Sequence, residues 1–368
     1  TGVNVAVTDV GATDLGASTV SGTLGITSAG AVTDSGTLAV TGATTISASG
    51  QDITLDESAS TFGTLALTGA NVAVTDAGAV DLGASTVGGT LGITSAGAVT
   101  DSGTLAITGA TTISASGQDI TLDESASTFG TLALTGANVA VTDAGAVDLG
   151  ASTVSGTLGI TSAGAVTDSG TLAITGATTI SASGQDITLD QASSTFGTLA
   201  LTGANVAVTE NAATDLGAST VSGTFAITSG GAITDSGTQA ITGDATFTNT
   251  AGDDDAITLD DASNAFGGTV TFATDSGSAV TIVDTTALDL KALTAASLSA
   301  TSGGAVTDSG TLAIAGATTI SASGQDITLD QAASTFGTLA LTGVNVAVTD
   351  AGATDLGVST VSGTLGIT

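Results

Sequence analysis

The stretch DSGTLAITGATTISASGQDITLD, Asp101–Asp123, decides the fold. It returns letter for letter at Asp168–Asp190, and with one change each at 34–56 and 308–330. Within it Leu105 and Ile107 flank Ala106, while Ile120 and Leu122 alternate with Asp119, Thr121 and Asp123. A period of two is the signature of a strand with one buried face. Gly, Ser, Asn and Asp stand between the alternating words, and these residues form turns. The Gly, Thr, Ser and Val content disfavours helix.

The repeat is longer than this phrase. TGVNVAVTD at residue 1 returns as TGANVAVTD at 68 and 135 and as TGANVAVTE at 202, a step of 67 residues. The next copy begins at 342, two steps and six residues on. The chain therefore reads as a single array: 1–67, 68–134, 135–201, 202–268, a degenerate 269–341, and a partial 342–368. Insertions disturb the region between 235 and 300; AGDDDAITLD (251–260) stands where other copies read SGQDITLD. The array opens and closes inside a repeat, as a piece of a longer chain would.

Three sub-units announce themselves in each copy, as GTLGIT (89–94), GTLAIT (103–108) and GTLALT (130–135). Each holds three short strand-like words. The expected architecture is an all-β parallel β-helix, or solenoid, with three short strands per rung and three rungs per 67-residue repeat. About 16 rungs stacked ~4.8 Å apart predict a rod of roughly 75–80 Å. Leu, Ile and Val would stack inside it. Phe62, Phe129, Phe196, Phe266 and Phe336 recur once per copy and predict an inward ladder of rings. Proline, which cannot donate to a ladder, is absent. A string of small sandwiches of one copy each would have poor independent cores.

Composition narrows the function. Cys, Pro, Met, Trp, Tyr and His are absent, Lys291 is the only basic side chain, and the net charge is −33. Nucleic acid is excluded as a partner, since phosphates need Lys and Arg; an anionic membrane surface is excluded on the same ground. No apolar run reaches the ~18 residues of a membrane helix, so membrane insertion is not expected. The apolar fraction of 41% argues against disorder. Without His and Cys there is no nucleophilic triad and no zinc site. Each carboxylate has copies a fixed distance away, whereas an acid–base pair needs two unlike environments. The chain is therefore not expected to be an enzyme; a polysaccharide-cleaving β-helix is the least supported alternative.

The phrases GAVTDSGTLAITGATTISA, DITLDESASTFGTLALTG and NVAVTDAGAVDLGASTVSGTL resemble the repeat arrays of giant bacterial exoproteins of the filamentous haemagglutinin type, across essentially the whole chain. The resemblance implies a right-handed β-helix, export to the bacterial cell surface, and service in adhesion or a biofilm matrix. It makes a structural rod or filament segment the expected function. Self-association into filaments or bundles, and contact with a cell surface or matrix, are the expected partnerships.

The recurring acids raise a second reading, a calcium-dependent or glycan-binding module. Asp101, Asp123 and Asp148 each stand near the end of a word. Stacked at ~4.8 Å they would repel, and a hard cation with oxygen ligands would relieve them. Asp253, Asp254 and Asp255 form a second Ca²⁺ candidate in the inserted loop. No cofactor is required by the sequence, and Ca²⁺ is the one it leaves open. The alternative is that these acids are solvated turn formers that keep the array soluble. Lys291, where the regular copies carry a glycine such as Gly83, reads as drift on a solvated face, with Asp289 as its nearest sequence partner.

Overall fold

The computed structural model describes residues 1–250, 252 and 254–368. Strands form where the words alternate. In Leu105–Ile107 and Ile120–Leu122 the two end residues are buried and the middle one is not. All 48 regular elements assigned among the described residues are strands, and they pair in parallel. The fold is the expected all-β parallel β-solenoid, with about 19 turns in all. The chain divides into two compact units, Thr1–Ala182 and Ser183–Thr368.

The first unit shows how a turn is built. Val72 pairs with Leu91, Leu91 with Thr111, and Thr111 with Leu132. Two residues along, Val74, Ile93, Ile113 and Leu134 make a second, wholly apolar column. Each of these four is almost completely buried. Full burial of such a side chain stabilises by roughly 1.5–3 kcal/mol, so the column is the main adhesive of the stack. Successive turns of the first unit take between 17 and 22 residues, as the partners Leu132↔Leu149 and Ala106↔Thr128 show. The copy beginning at Val72 runs through seven segments that alternate between two sides: Val72–Asp76, 80–87, Leu91–Ser95, 99–107, Thr111–Ser114, 120–129 and Thr131–Gly136.

Seven is odd, and this corrects the expected three rungs per repeat. One copy fills three and a half turns, so equivalent strands of neighbouring copies lie on opposite sides. Val72–Asp76 stacks with Leu91–Ser95 in one sheet, and its counterpart Val139–Asp143 stacks with Ile120–Leu122 in the other. The single ladder of once-per-copy rings is corrected too. All five Phe residues are buried, but an odd number of sides sends successive rings to alternate faces. The turn after Thr111–Ser114 shows why one glycine is needed there. Gln118 N–H donates to Ala115 C=O at 2.9 Å, and Gly117 between them has φ +74°, a value that L side chains resist.

The second unit uses the same register, with a larger core where the repeat degenerates. Val208, Ile227, Phe247 and Phe272 form one column. Phe247 stacks on Phe272 at 5.8 Å and meets Phe225 and Phe266 edge-on at 5.9 and 6.0 Å. Such pairs add about 0.5–1.5 kcal/mol each beyond burial. Opposite Thr269–Ala273, the strand Leu288–Ala295 carries an irregularity: Val270 pairs with Leu290 but Thr271 with Ala292. Lys291 is the extra residue of this bulge and is exposed.

Candidate functional site

The carboxylates are the only chemically distinctive groups of the repeat, and the structure sorts them by parity. In VAVTD, Val72, Val74 and Asp76 are two apart and all buried. In VTD, Val99 and Asp101 are likewise in phase and buried. In VDL the aspartate lies between two buried residues and faces outward, as Asp148 does between Val147 and Leu149. Each copy thus carries acids pointing inward and acids pointing out.

The Asp76 position was not recognised as inward in the sequence, although its phase with Val72 and Val74 carries that signal. Asp143 Oδ2 accepts the N–H of Phe129 at 3.2 Å, and Oδ1 accepts the N–H of Gly145 at 2.7 Å. Asp76 does the same for Phe62 and Gly78, and Asp350 for Phe336 and Gly352. In the fourth copy Glu210 holds Phe196 N–H at 2.7 Å and the Thr214 hydroxyl at 2.9 Å. Asp284 completes the series with Phe266 and Thr286. All five recurring Phe residues therefore tie their N–H to a buried acid further along the chain. Burial pushes the carboxyls of Asp76, Asp143 and Asp284 up, against the hydrogen bonds they accept, and pushes Glu210 up to about 7.

Removing such an acid strands two N–H groups. Asp143→Ala is expected to lower stability by about 2 kcal/mol, read as a denaturant midpoint. Asp123→Ala, at an exposed position, is expected to change it by less than about 0.5 kcal/mol. Equal effects of the two would refute the buried-cap role.

The three stacked acids expected as a calcium ladder do not assemble. Asp101 and Asp123 do meet in adjacent turns, but through the main chain: Asp101 Oδ1 accepts Asp123 N–H at 2.8 Å, and Oδ2 accepts Glu124 N–H at 3.4 Å. Asp101 is buried, and that burial, with Asp123 and Glu124 adding their charge, raises its pKa. Asp123 is exposed. Asp148 lies in the opposite sheet from Asp101, paired with Thr131 and Thr167. Parity also keeps them apart, since Asp101 points inward and Asp148 outward; even Asp81, the counterpart of Asp148 in the same sheet as Asp101, pairs with Thr100. Of the inserted trio, Asp253 lies outside the described residues. Asp254 is exposed with φ +58°, and Asp255 lends its C=O to the Asn249 side chain at 3.3 Å. Among the described residues no group of three or more acids is placed to hold a metal ion. The Thr269 N–H, donated to Asp244 Oδ1 at 2.9 Å, contributes most to holding that carboxyl below the usual range, and the Lys291 charge adds to it.

Outward acids line two open surface clefts of the first unit. Asp148 Oδ2 accepts the hydroxyls of Thr131 and Ser169, both at 2.8 Å. Gly109, Phe129, Gly130 and Thr167 line an open cleft of about 380 Å³ around it. One copy earlier a cleft of about 360 Å³ surrounds Asp81, which holds Thr64 at 2.7 Å and Ser102 at 2.9 Å. Glycine is required in the lining, because a Cβ at Gly109 would sit 2.6 Å from the Gly89 carbonyl oxygen.

A family described as repeats of unknown function (DUF5649) matches residues 2–68, 69–135, 136–202, 203–273 and 277–342. No curated protein and no solved structure matches the chain.

Proposed function

We propose that this chain, which belongs to the family of DUF5649 repeats, is a structural spacer of a large bacterial surface or matrix protein. The observation that supports this reading is the stacking itself. Each turn is completed by its neighbours through main-chain ladders and apolar columns, and each regular copy is chemically equivalent to the others. Such an array resists extension along its axis and gains length by adding copies. Equivalence also argues against catalysis, which needs a place unlike the rest. The resemblance to filamentous haemagglutinin arrays supports adhesion or biofilm matrix as the setting, outside the cell.

Electron microscopy of the purified chain beside a variant lacking residues 68–134 tests the reading. Loss of one copy should shorten the particle by about 17 Å, three and a half turns at ~4.8 Å, and leave its width unchanged. Flexible beads, or a compact particle of unchanged length, would overturn the spacer. The same particles with and without millimolar Ca²⁺ separate a passive spacer from a calcium-dependent module. Unchanged length and melting support the former; stiffening or bundling only with calcium overturns it.

A further inference from the structure

We propose that the cleft at Asp148, with its counterpart at Asp81, binds neutral glycans, and that the pair lets one chain bridge two polysaccharide strands. This goes beyond the spacer reading and does not depend on it.

The chemistry of the cleft favours a polyol. Asp148 uses Oδ2 for the Thr131 and Ser169 hydroxyls, and those are its only hydrogen bonds, so Oδ1 stands as an unengaged charged acceptor. Its residue is half-buried, which strengthens a bond to a ligand O–H relative to open water. Thr167, exposed on the same cleft, donates its hydroxyl to Val147 C=O at 3.4 Å and keeps its oxygen as an acceptor. Phe129, a core residue, borders the cleft and is 7% exposed. Gly109 and Gly130 also line it, and both are glycines because a Cβ there would meet the main chain of the preceding turn. A carboxylate acceptor beside hydroxyls suits the O–H groups of a sugar. The same carboxylate, in a chain of net charge −33, repels phosphate and uronic acids, which restricts the class to uncharged glycans.

Recurrence supplies the second half. The first cleft repeats at Phe62, Thr64 and Asp81 with the same hydrogen bonds. Asp81 and Asp148 lie in opposite sheets of the first unit, because a copy spans three and a half turns. Along the axis they are about 17 Å apart. A strand held by one is therefore on the other side from a strand held by the next.

Asp→Asn is the discriminating substitution. Asparagine keeps an oxygen for the Thr and Ser hydroxyls and places an N–H₂ donor where the free acceptor was. Native electrophoresis of the whole chain through gels containing dextran, galactomannan or alginate reads binding. Wild type should be retarded by a neutral polysaccharide and not by anionic alginate. Asp14, Asp215 and Asp355 hold the equivalent Ser or Thr hydroxyls in other copies. A variant with these, Asp81 and Asp148 all changed to Asn should melt no lower than wild type, having lost five repelling charges, and bind about tenfold more weakly. Failure of both neutral polymers to retard wild type overturns the proposal, as does equal retardation of the variant. Light scattering tests bridging. Wild type should build growing particles with the retarding polymer, while a variant keeping Asp148 alone should bind without growth; growth with that variant overturns the bridge.

Discussion

Acidification from about pH 8 to about pH 5 is expected to stabilise this protein, although most proteins whose carboxylates are paired lose stability toward acid. Burial raises the carboxyls of Asp34, Asp76, Asp101, Asp143, Glu210, Asp284 and Asp308. A carboxyl raised in the folded state binds its proton more tightly there than in the unfolded chain. Its contribution is complete below the unfolded pKa and is lost as pH rises through the folded one. For Glu210 the window runs from 4.5 to about 7, and the difference corresponds to about 3 kcal/mol. Geometry agrees with the sign: Asp34 Oδ2, Asp284 Oδ2 and Asp308 Oδ2 are buried without a hydrogen-bond partner, places where a full negative charge is poorly supported. Relief of self-repulsion in a chain of charge −33 adds to the same trend.

Glu210→Gln isolates the largest single part. Glutamine can accept the Phe196 N–H with its oxygen and donate to Thr214, whose hydroxyl in turn reaches Ser229 at 3.0 Å. Both native bonds survive and the charge is gone. The variant should gain about 3 kcal/mol near pH 8 and nothing near pH 4, so that its stability is flatter with pH than wild type. Urea unfolding at a series of pH values reads this. A wild-type stability that rises between pH 5 and 8, or a variant with the wild-type slope, would refute the assignment of buried, reluctant charges.

The fold was legible in the sequence because alternation is a local property. Val72, Val74 and Ile120, Leu122 announce strands without reference to any neighbour, and the 67-residue step announces stacking. What could not be read is which word lies on which. Leu65 pairs with Leu82 at 17 residues and Thr44 with Leu65 at 21, and the difference rests on how much chain each corner consumes. Three sub-units with similar openings suggested three turns, whereas the corners divide the copy into seven sides. The expected stacking of Asp101, Asp123 and Asp148 was lost to the same register and to the parity of each word. The inward acids were within reach: the rule that sends Val74 inside sends Asp76 with it. Treating terminal Asp as a turn former obscured a phase that the letters carry. The cleft at Asp148 joins residues from turns whose register was unknown, so only the assembled structure brings Phe129 and Asp148 together.

Replacing four threonines by valine should stabilise the protein by several kcal/mol in total. Thr44, Thr111, Thr178 and Thr318 are fully buried, and no hydroxyl among them has a hydrogen-bond partner. Their neighbours in the stack are apolar: Thr44 lies between Leu24 and Leu65, Thr111 between Leu91 and Leu132, and Thr318 between Leu298 and Leu339. A hydroxyl stripped of water and left without a partner costs about 1–3 kcal/mol, while valine has nearly the same outline and no such cost. The degenerate copy already dispenses with the hydroxyl, placing Ala245 between Phe225 and Val270. Each change should be worth about 1 kcal/mol, and the gains should add because the sites share no partner. Thr112→Val, one residue from Thr111 but exposed, serves as the control and should shift stability by less than about 0.5 kcal/mol. A loss on Thr111→Val would show that the hydroxyl has a bonded partner inside the stack, such as an ordered water, and the apolar column would then be a wetter structure than its side chains suggest.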